Sequence, residues 1–193
     1  MADERVPAGK RASLAHLFVR ARRATAEALV RRRVALGFVT GAAALVLAAP
    51  TWRSWQLGLI VAIAGEAIRV WAAGHLEKSR EVTRSGPYRV TRHPLYLGSA
   101  IIALGVAIAS RSIVVALLAA VYIAATIPAA IRAEEAFLRR TFGDAYDSYR
   151  EARSPQMQRR FSLARAWRNR EYRAIAGLGG GFALLALKIL LSI

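Results

Sequence analysis

The chain has 193 residues, 55% of them hydrophobic, and a formal net charge of +17, which excludes an ordinary soluble domain and points to a single membrane-embedded unit. It contains no cysteine, so disulfides, thiolate catalysis and Cys-ligated metal or iron–sulfur sites are excluded. Its basic residues stand in blocks beside apolar runs, not interleaved with aromatics on a strand-rich surface, so nucleic acid is not an expected partner.

Residues 1–33 form a basic tail with nine Lys or Arg, read as a solvated arm able to meet anionic headgroups, and no secretory signal is read in it. Apolar runs follow at 34–50, 55–73, 95–109, 112–131 and 174–193. At about 1.5 Å per residue, such runs approach or reach a hydrocarbon core of about 30 Å. The expected fold is therefore all-α, a polytopic integral membrane protein with about five transmembrane helices. Only Ser110, Arg111 and Ser112 separate the third and fourth runs, which predicts a short, tight helical hairpin. The expected organisation is a tail (1–33), two spans (34–73), a core (74–150), a basic segment (151–173) and a final span (174–193).

Five Lys or Arg fall in 74–92 and eleven in 132–173, whereas the two opposite loops hold one each, Arg53 and Arg111. Basic loops stay in the cytoplasm, so the N-terminus is expected inside and the C-terminus outside. Within the runs, Glu66 and Arg69 stand one helical turn apart and read as a self-neutralising pair. Arg69 and Lys188 can snorkel toward opposite surfaces. Gly177 and Gly181 of the last run permit close helix approach; that run can line a lipid access route, pair two copies as a homodimer, or anchor.

The stretch SGPYRVTRHPLYLG, residues 85–98, concentrates polar chemistry at a helix mouth. Gly86 and Pro87 make a turn, Pro94 suits a first helical position, and His93 before it is biased to extended backbone. Tyr88, Arg89, Arg92, His93 and Tyr96 then crowd one helix start, whose unpaired N–H groups add partial positive charge. The result is an anion-friendly pocket with aromatic walls. The fourth run ends in IRAEE, which sets Glu134 and Glu135 at an expected helix C-terminus, where a carboxylate asks for a cationic partner. The hairpin brings both features to one face. Beyond them Phe137, Leu138, Phe142, Tyr146 and Tyr149 form an amphipathic pattern for a surface helix, with Gly143 as an interruption.

These residues resemble the isoprenylcysteine carboxyl methyltransferase family, within the wider group of membrane methyltransferases that includes phospholipid methyltransferases. The resemblance rests on GPYRVTRHPLYLG at 86–98, EE at 134–135 and FGDAYDSY at 142–149, in that order. It implies an S-adenosyl-L-methionine-dependent enzyme, with S-adenosyl-L-homocysteine as product and a cytoplasmic cofactor pocket at the hairpin. Carried over by position, it implies that Tyr88, His93, Pro94, Leu95, Tyr96 and Glu134 bind the cofactor, Glu134 at its ammonium; Arg92, beside them, is the arginine suited to the cofactor's carboxylate. Where eukaryotic members have a His, this chain has Arg80; His75 is the candidate substitute.

The acceptor that the resemblance implies is lipidic, the carboxylate of a prenylated, isoprenylcysteine-like molecule. An ionised carboxylate needs alignment and dehydration but no general base, and Arg132 is its candidate anchor. The alternative acceptor, a phospholipid amine, must lose a proton, for which Glu135 or His93 is the candidate base. A membrane NADPH-dependent reductase and a non-enzymatic membrane scaffold stay open as further readings. No metal-ligating set is read among the three histidines.

Overall fold

The computed structural model describes residue 32 and residues 35–155 and 157–191. The expected N-terminal tail, Arg32 apart, thus falls outside the described residues. Seven α-helices and one 3-10 turn follow in order: α1 (Ala35–Leu47), α2 (Trp52–Ala73), the turn Gly86–Arg89, α3 (Pro94–Ser110), α4 (Ile113–Phe142), α5 (Asp144–Arg150), α6 (Leu163–Arg168) and α7 (Tyr172–Leu190). There is no strand among the described residues.

Short-range signals set the boundaries. Thr51 caps α2 in a reciprocal box with Ser54, its hydroxyl accepting from the Ser54 N–H at 3.2 Å, which satisfies two otherwise orphaned donors. Pro94 opens α3 at a position where no N–H is missed. Arg111 closes α3 in the left-handed region at φ 49°, and Ser112 caps α4. The expected hairpin is thus built by a two-residue turn, Arg111 and Ser112, because Ser110 still belongs to α3.

By length and composition, α2, α4 and α7 can each cross a membrane, whereas α1 and α3 are shorter apolar helices. The chain is an all-helical integral membrane protein. Its third apolar run, α3, holds 17 residues, a rise of roughly 25 Å. The fourth differs from expectation: α4 does not end near Ile131 but continues through Ala133, Ala136 and Leu138 to Phe142. Glu134 and Glu135 therefore lie two turns before the helix end, too far inside for the terminal dipole to act on them. The interruption at Gly143 is present, with φ 47° separating α4 from α5.

The α2–α3 contact is made by glycines. A Cβ on Gly58 would stand 2.4 Å from the Gly105 carbonyl oxygen, and one on Gly65 would stand 2.7 Å from that of Gly98. Glycines seven apart on each helix let the backbones touch, the packing that replaces hydrophobic drive where the surroundings are themselves apolar. At the far end α7 joins this pair: the Trp55 indole N–H donates to the Phe182 carbonyl at 2.8 Å, and Phe182 and Leu185 bury against Ala62 and Ala109. Lys188, expected to snorkel, instead donates to the Leu45 and Val46 carbonyls at the end of α1, satisfying acceptors that a helix terminus leaves open.

Candidate functional site

At the arginine-rich end, α2, α3 and α4 diverge around a cavity of about 570 Å³. Each wall has a local cause. Gly86, at φ 57°, turns the chain so tightly over the His75 ring that a Cβ would stand 2.5 Å from it; only glycine fits there. That turn buries Pro87 and Tyr88 and aims the chain at Pro94, from which α3 carries Leu95 and Tyr96 into the wall. On the opposite side α4 supplies Ala130, Ala133, Glu134 and Phe137.

Of the residues expected from sequence, Tyr88, Arg92, Leu95, Tyr96 and Glu134 line this cavity together. His93, Pro94, Arg132 and Glu135 are not among its lining. Pro94 is buried in the first turn of α3, and Arg132 is exposed on α4. His93 and Glu135 form a bracket outside the wall: His93 Nε2 stands 3.1 Å from Glu135 Oε1, and the Arg92 guanidinium stands 3.5 Å from the same oxygen. Glu135 thus ties the start of α3 to α4. His75 is likewise outside the lining, its Nδ1 3.0 Å from the Ser85 hydroxyl and its ring against Phe161. Burial, then the charges of Arg165, Arg159 and Arg89, lowers its pKa and keeps the imidazole neutral.

The amphipathic residues beyond α4 close the same cavity. The Tyr149 hydroxyl donates to the Tyr88 carbonyl at 2.7 Å and lines the wall with Tyr88. Burial pushes the Tyr149 phenol up to about 12, against the opposing charge of Arg92. Burial, reinforced by Glu134, raises that of Tyr88 as well. Both are therefore neutral donors at any physiological pH. Tyr146, the largest fully buried side chain, packs beneath beside Glu135.

Among the contributors missed from sequence are Asn169 and Glu171, which reach the wall from the opposite end of the chain. The segment before them straps across the loop that follows α2. Arg159 pairs with Glu81 at 2.5 Å and Arg165 with Glu77 at 2.8 Å, while Asn169 donates to the Ala73 and Leu76 carbonyls. Glu171 then takes Arg69 at 2.7 Å, closer than Glu66 at 3.6 Å. The pair expected within α2 is in fact a buried cluster of two acids and one arginine. Nothing local in the sequence links Glu171 to Arg69; the one available signal was a lone acid among arginines at the start of an apolar run.

The donor set fits the cofactor expected from the resemblance. Glu134 lines the cavity and forms no ion pair among the described residues, leaving a carboxylate for an ammonium. Arg92, partly exposed in the same wall, can meet a carboxylate, and Tyr88, Tyr96 and Phe137 offer aromatic faces to a sulfonium or a purine. The volume lies in the range of small-molecule sites. Among the described residues no group of three or more His, Asp or Glu is placed to hold a metal ion.

A second, larger cavity of about 750 Å³ opens between α1, α3 and α7; its walls are mainly Gly, Ala, Leu and Phe, and Arg69 and Ser99 line it as well as the first.

Comparison with known proteins places the same region in context. Residues 58–145 match the phospholipid methyltransferase family. The chain is 35% identical over 113 residues to a nickel-cobalt-cadmium resistance protein of Alcaligenes xylosoxydans xylosoxydans, covering 58% of this chain and 51% of that one. It is 34% identical over 112 residues to a cobalt-zinc-cadmium resistance protein of Cupriavidus metallidurans, covering 57% and 50%. The chain thus spans about half the length of the curated relatives it matches. No solved structure matches.

Proposed function

We propose that this protein is an integral membrane S-adenosyl-L-methionine-dependent methyltransferase that acts on a lipidic acceptor. The match of residues 58–145 to a methyltransferase family supports the reaction class. The observation that carries the lipidic acceptor is that a polar and an apolar cavity share two lining residues, Arg69 and Ser99.

When bound, the cofactor supplies a methyl group made electrophilic by its sulfonium. The chain's part is to bind, orient and exclude water. In this reading Glu134 holds the cofactor's ammonium and Arg92 its carboxylate. Tyr88 and Tyr96 flank its body as neutral rings, and the His93–Glu135 bracket keeps Arg92 and the start of α3 in position. Arg132 is assigned no contact with either cavity. With the arginine-rich loops in the cytoplasm, the polar cavity opens to soluble cofactor and the apolar one to the bilayer.

The resemblance to isoprenylcysteine carboxyl methyltransferases favours a carboxylate acceptor. A second reading, N-methylation, is favoured by the acids at the junction of the cavities, Glu66 and Glu171, which repel a carboxylate and attract an ammonium. To test the function, the affinity of purified protein for S-adenosylhomocysteine is measured by calorimetry in the wild type, Glu134→Ala and His93→Ala. We expect a loss of tenfold or more for Glu134→Ala and a smaller loss for His93→Ala. Undiminished binding in both variants would refute the site, and binding of NADPH in place of S-adenosylhomocysteine would refute the reaction. Membranes incubated with methyl-labelled cofactor then yield base-labile esters from a carboxylate acceptor or methylated amines from an amine.

A further inference from the structure

The apolar cavity between α1, α3 and α7 has a floor that the reaction class does not explain. Among the described residues its only ionisable lining residues are Glu66 and Arg69. Arg69 is committed: it pairs with Glu171 at 2.7 Å and donates to the Ser99 hydroxyl at 2.6 Å and the Leu95 carbonyl at 3.4 Å. Glu66 is only 7% exposed, and among the described residues neither of its carboxylate oxygens has a hydrogen-bond partner, Arg69 standing 3.6 Å away. The cluster holds two carboxylates against one guanidinium. It lacks one positive charge, and in a weakly polar interior an uncompensated carboxylate is costly unless a proton or a cation balances it.

The walls above this floor suit a hydrocarbon chain. From Ser99 to Ser110, both lining the cavity, α3 rises roughly 16 Å. Beside it the small residues of α1 and α7 leave the groove empty: a Cβ on Gly41, Gly177, Gly180 or Gly181 would meet nothing within 4 Å. These glycines do not bring helices together as Gly58 and Gly105 do; they hold them apart from a space. All four lie outside the residues that match the methyltransferase family.

We propose that the groove is the acceptor subsite, and that it takes a single-chain amphiphile whose head is a protonated amine without a phosphate group. The chain lies along the glycines of α1 and α7, and the head sits at the floor as the counter-ion of Glu66. The Glu66 oxygens are covered, so the head is selected through the low-dielectric wall rather than by a direct hydrogen bond. A carboxylate or phosphate head would meet the excess acid, since the one cation of the cluster, Arg69, already faces both Glu66 and Glu171. Because Arg69 and Ser99 line both cavities, the head is held at a wall shared with the polar cavity; that this wall faces a methyl donor rests on the function proposed above.

The test uses the full chain in phosphatidylcholine nanodiscs. Trp52, Trp71 and Trp167 are replaced by Phe, leaving Trp55, which packs on the groove residue Phe182, as the fluorescent reporter. Dodecylamine, dodecanoate and dodecyl phosphate are titrated at neutral pH, with protein-free nanodiscs correcting for partition. The amine is expected to bind at least tenfold more tightly than either anion. Glu66→Gln should reduce that preference to twofold or less. Gly180→Leu, which favours helix and fills the groove, should weaken the amine tenfold or more while S-adenosylhomocysteine affinity is unchanged. Equal binding of the three probes, preference for an anion, or a preference that survives Glu66→Gln would each overturn the proposal. Should Glu66→Gln fail to fold, Gly180→Leu and Gly41→Leu decide it, and binding undiminished in both refutes the groove. If the amine binds as expected and S-adenosylhomocysteine does not, the subsite stands and the methyltransferase reading falls.

Discussion

Tyr149 and Glu134 show how single side chains set the properties of the polar cavity. Tyr149 spends its proton on the Tyr88 carbonyl, so Tyr149→Phe removes a donor and leaves that acceptor unpaired. We expect a loss of about 1 kcal/mol of stability, read as a lowered thermal midpoint in detergent. The hydroxyl's pKa near 12 also predicts an optical titration in which tyrosinate absorbance at pH 10 falls short of that of the unfolded chain. The difference should shrink in the Tyr149→Phe variant. Arg69 gives a sharper contrast. Arg69→Met strands Glu66 and Glu171 together and is expected to cost about 3 kcal/mol or more, whereas Glu171→Gln leaves one acid against one arginine and should cost about 1 kcal/mol. Equal losses on thermal unfolding would contradict the two-acid cluster.

At the scale of elements, the α2–α3 pair depends on glycine. Gly105→Val would drive a side chain into the Gly58 carbonyl, 2.6 Å from its Cβ, and the helices would have to separate. We expect a loss of about 1–3 kcal/mol, with S-adenosylhomocysteine affinity falling too, because α3 carries Leu95 and Tyr96 into the site. The strap over residues 74–84 is held instead by charge. Glu77 has its pKa lowered chiefly by its bond to Arg165, and burial lowers that of His75. In both cases the unfolded group binds a proton more readily than the folded one, so their contributions are present near neutral pH and lost on acidification. Loosening should begin as pH falls below about 6.5 through His75 and continue past about 4.5 through Glu77. The reporter is cleavage at Arg159, Arg160 and Arg165 by a protease active in acid, and the acid sensitivity should diminish in Glu77→Gln.

For the molecule as a whole, the sequence by itself determined that the chain is helical, where most helices begin, and that Tyr88, Arg92, Leu95, Tyr96 and Glu134 share one end of a hairpin. These follow from short-range causes: apolar run length, the Thr51 and Ser112 caps, Pro94, and a turn too short to part the two helices. Local reading failed where a signal depended on context. The end of α4 was set too early because the charged residues after Ile131 lie on a helix that simply leaves the apolar layer, and the Glu66–Arg69 spacing concealed a third partner. Only the tertiary structure decided that Glu171 completes the cluster, that a distal strap supplies Asn169, that His93 and Glu135 brace the wall from outside, and that two sets of glycines do opposite things. Gly58 and Gly105 close a contact, while Gly177 and Gly180 border a space. Side-chain size is identical in both sets, and the difference lies in which helix each glycine faces, a property of packing between distant segments that no periodicity along one segment encodes.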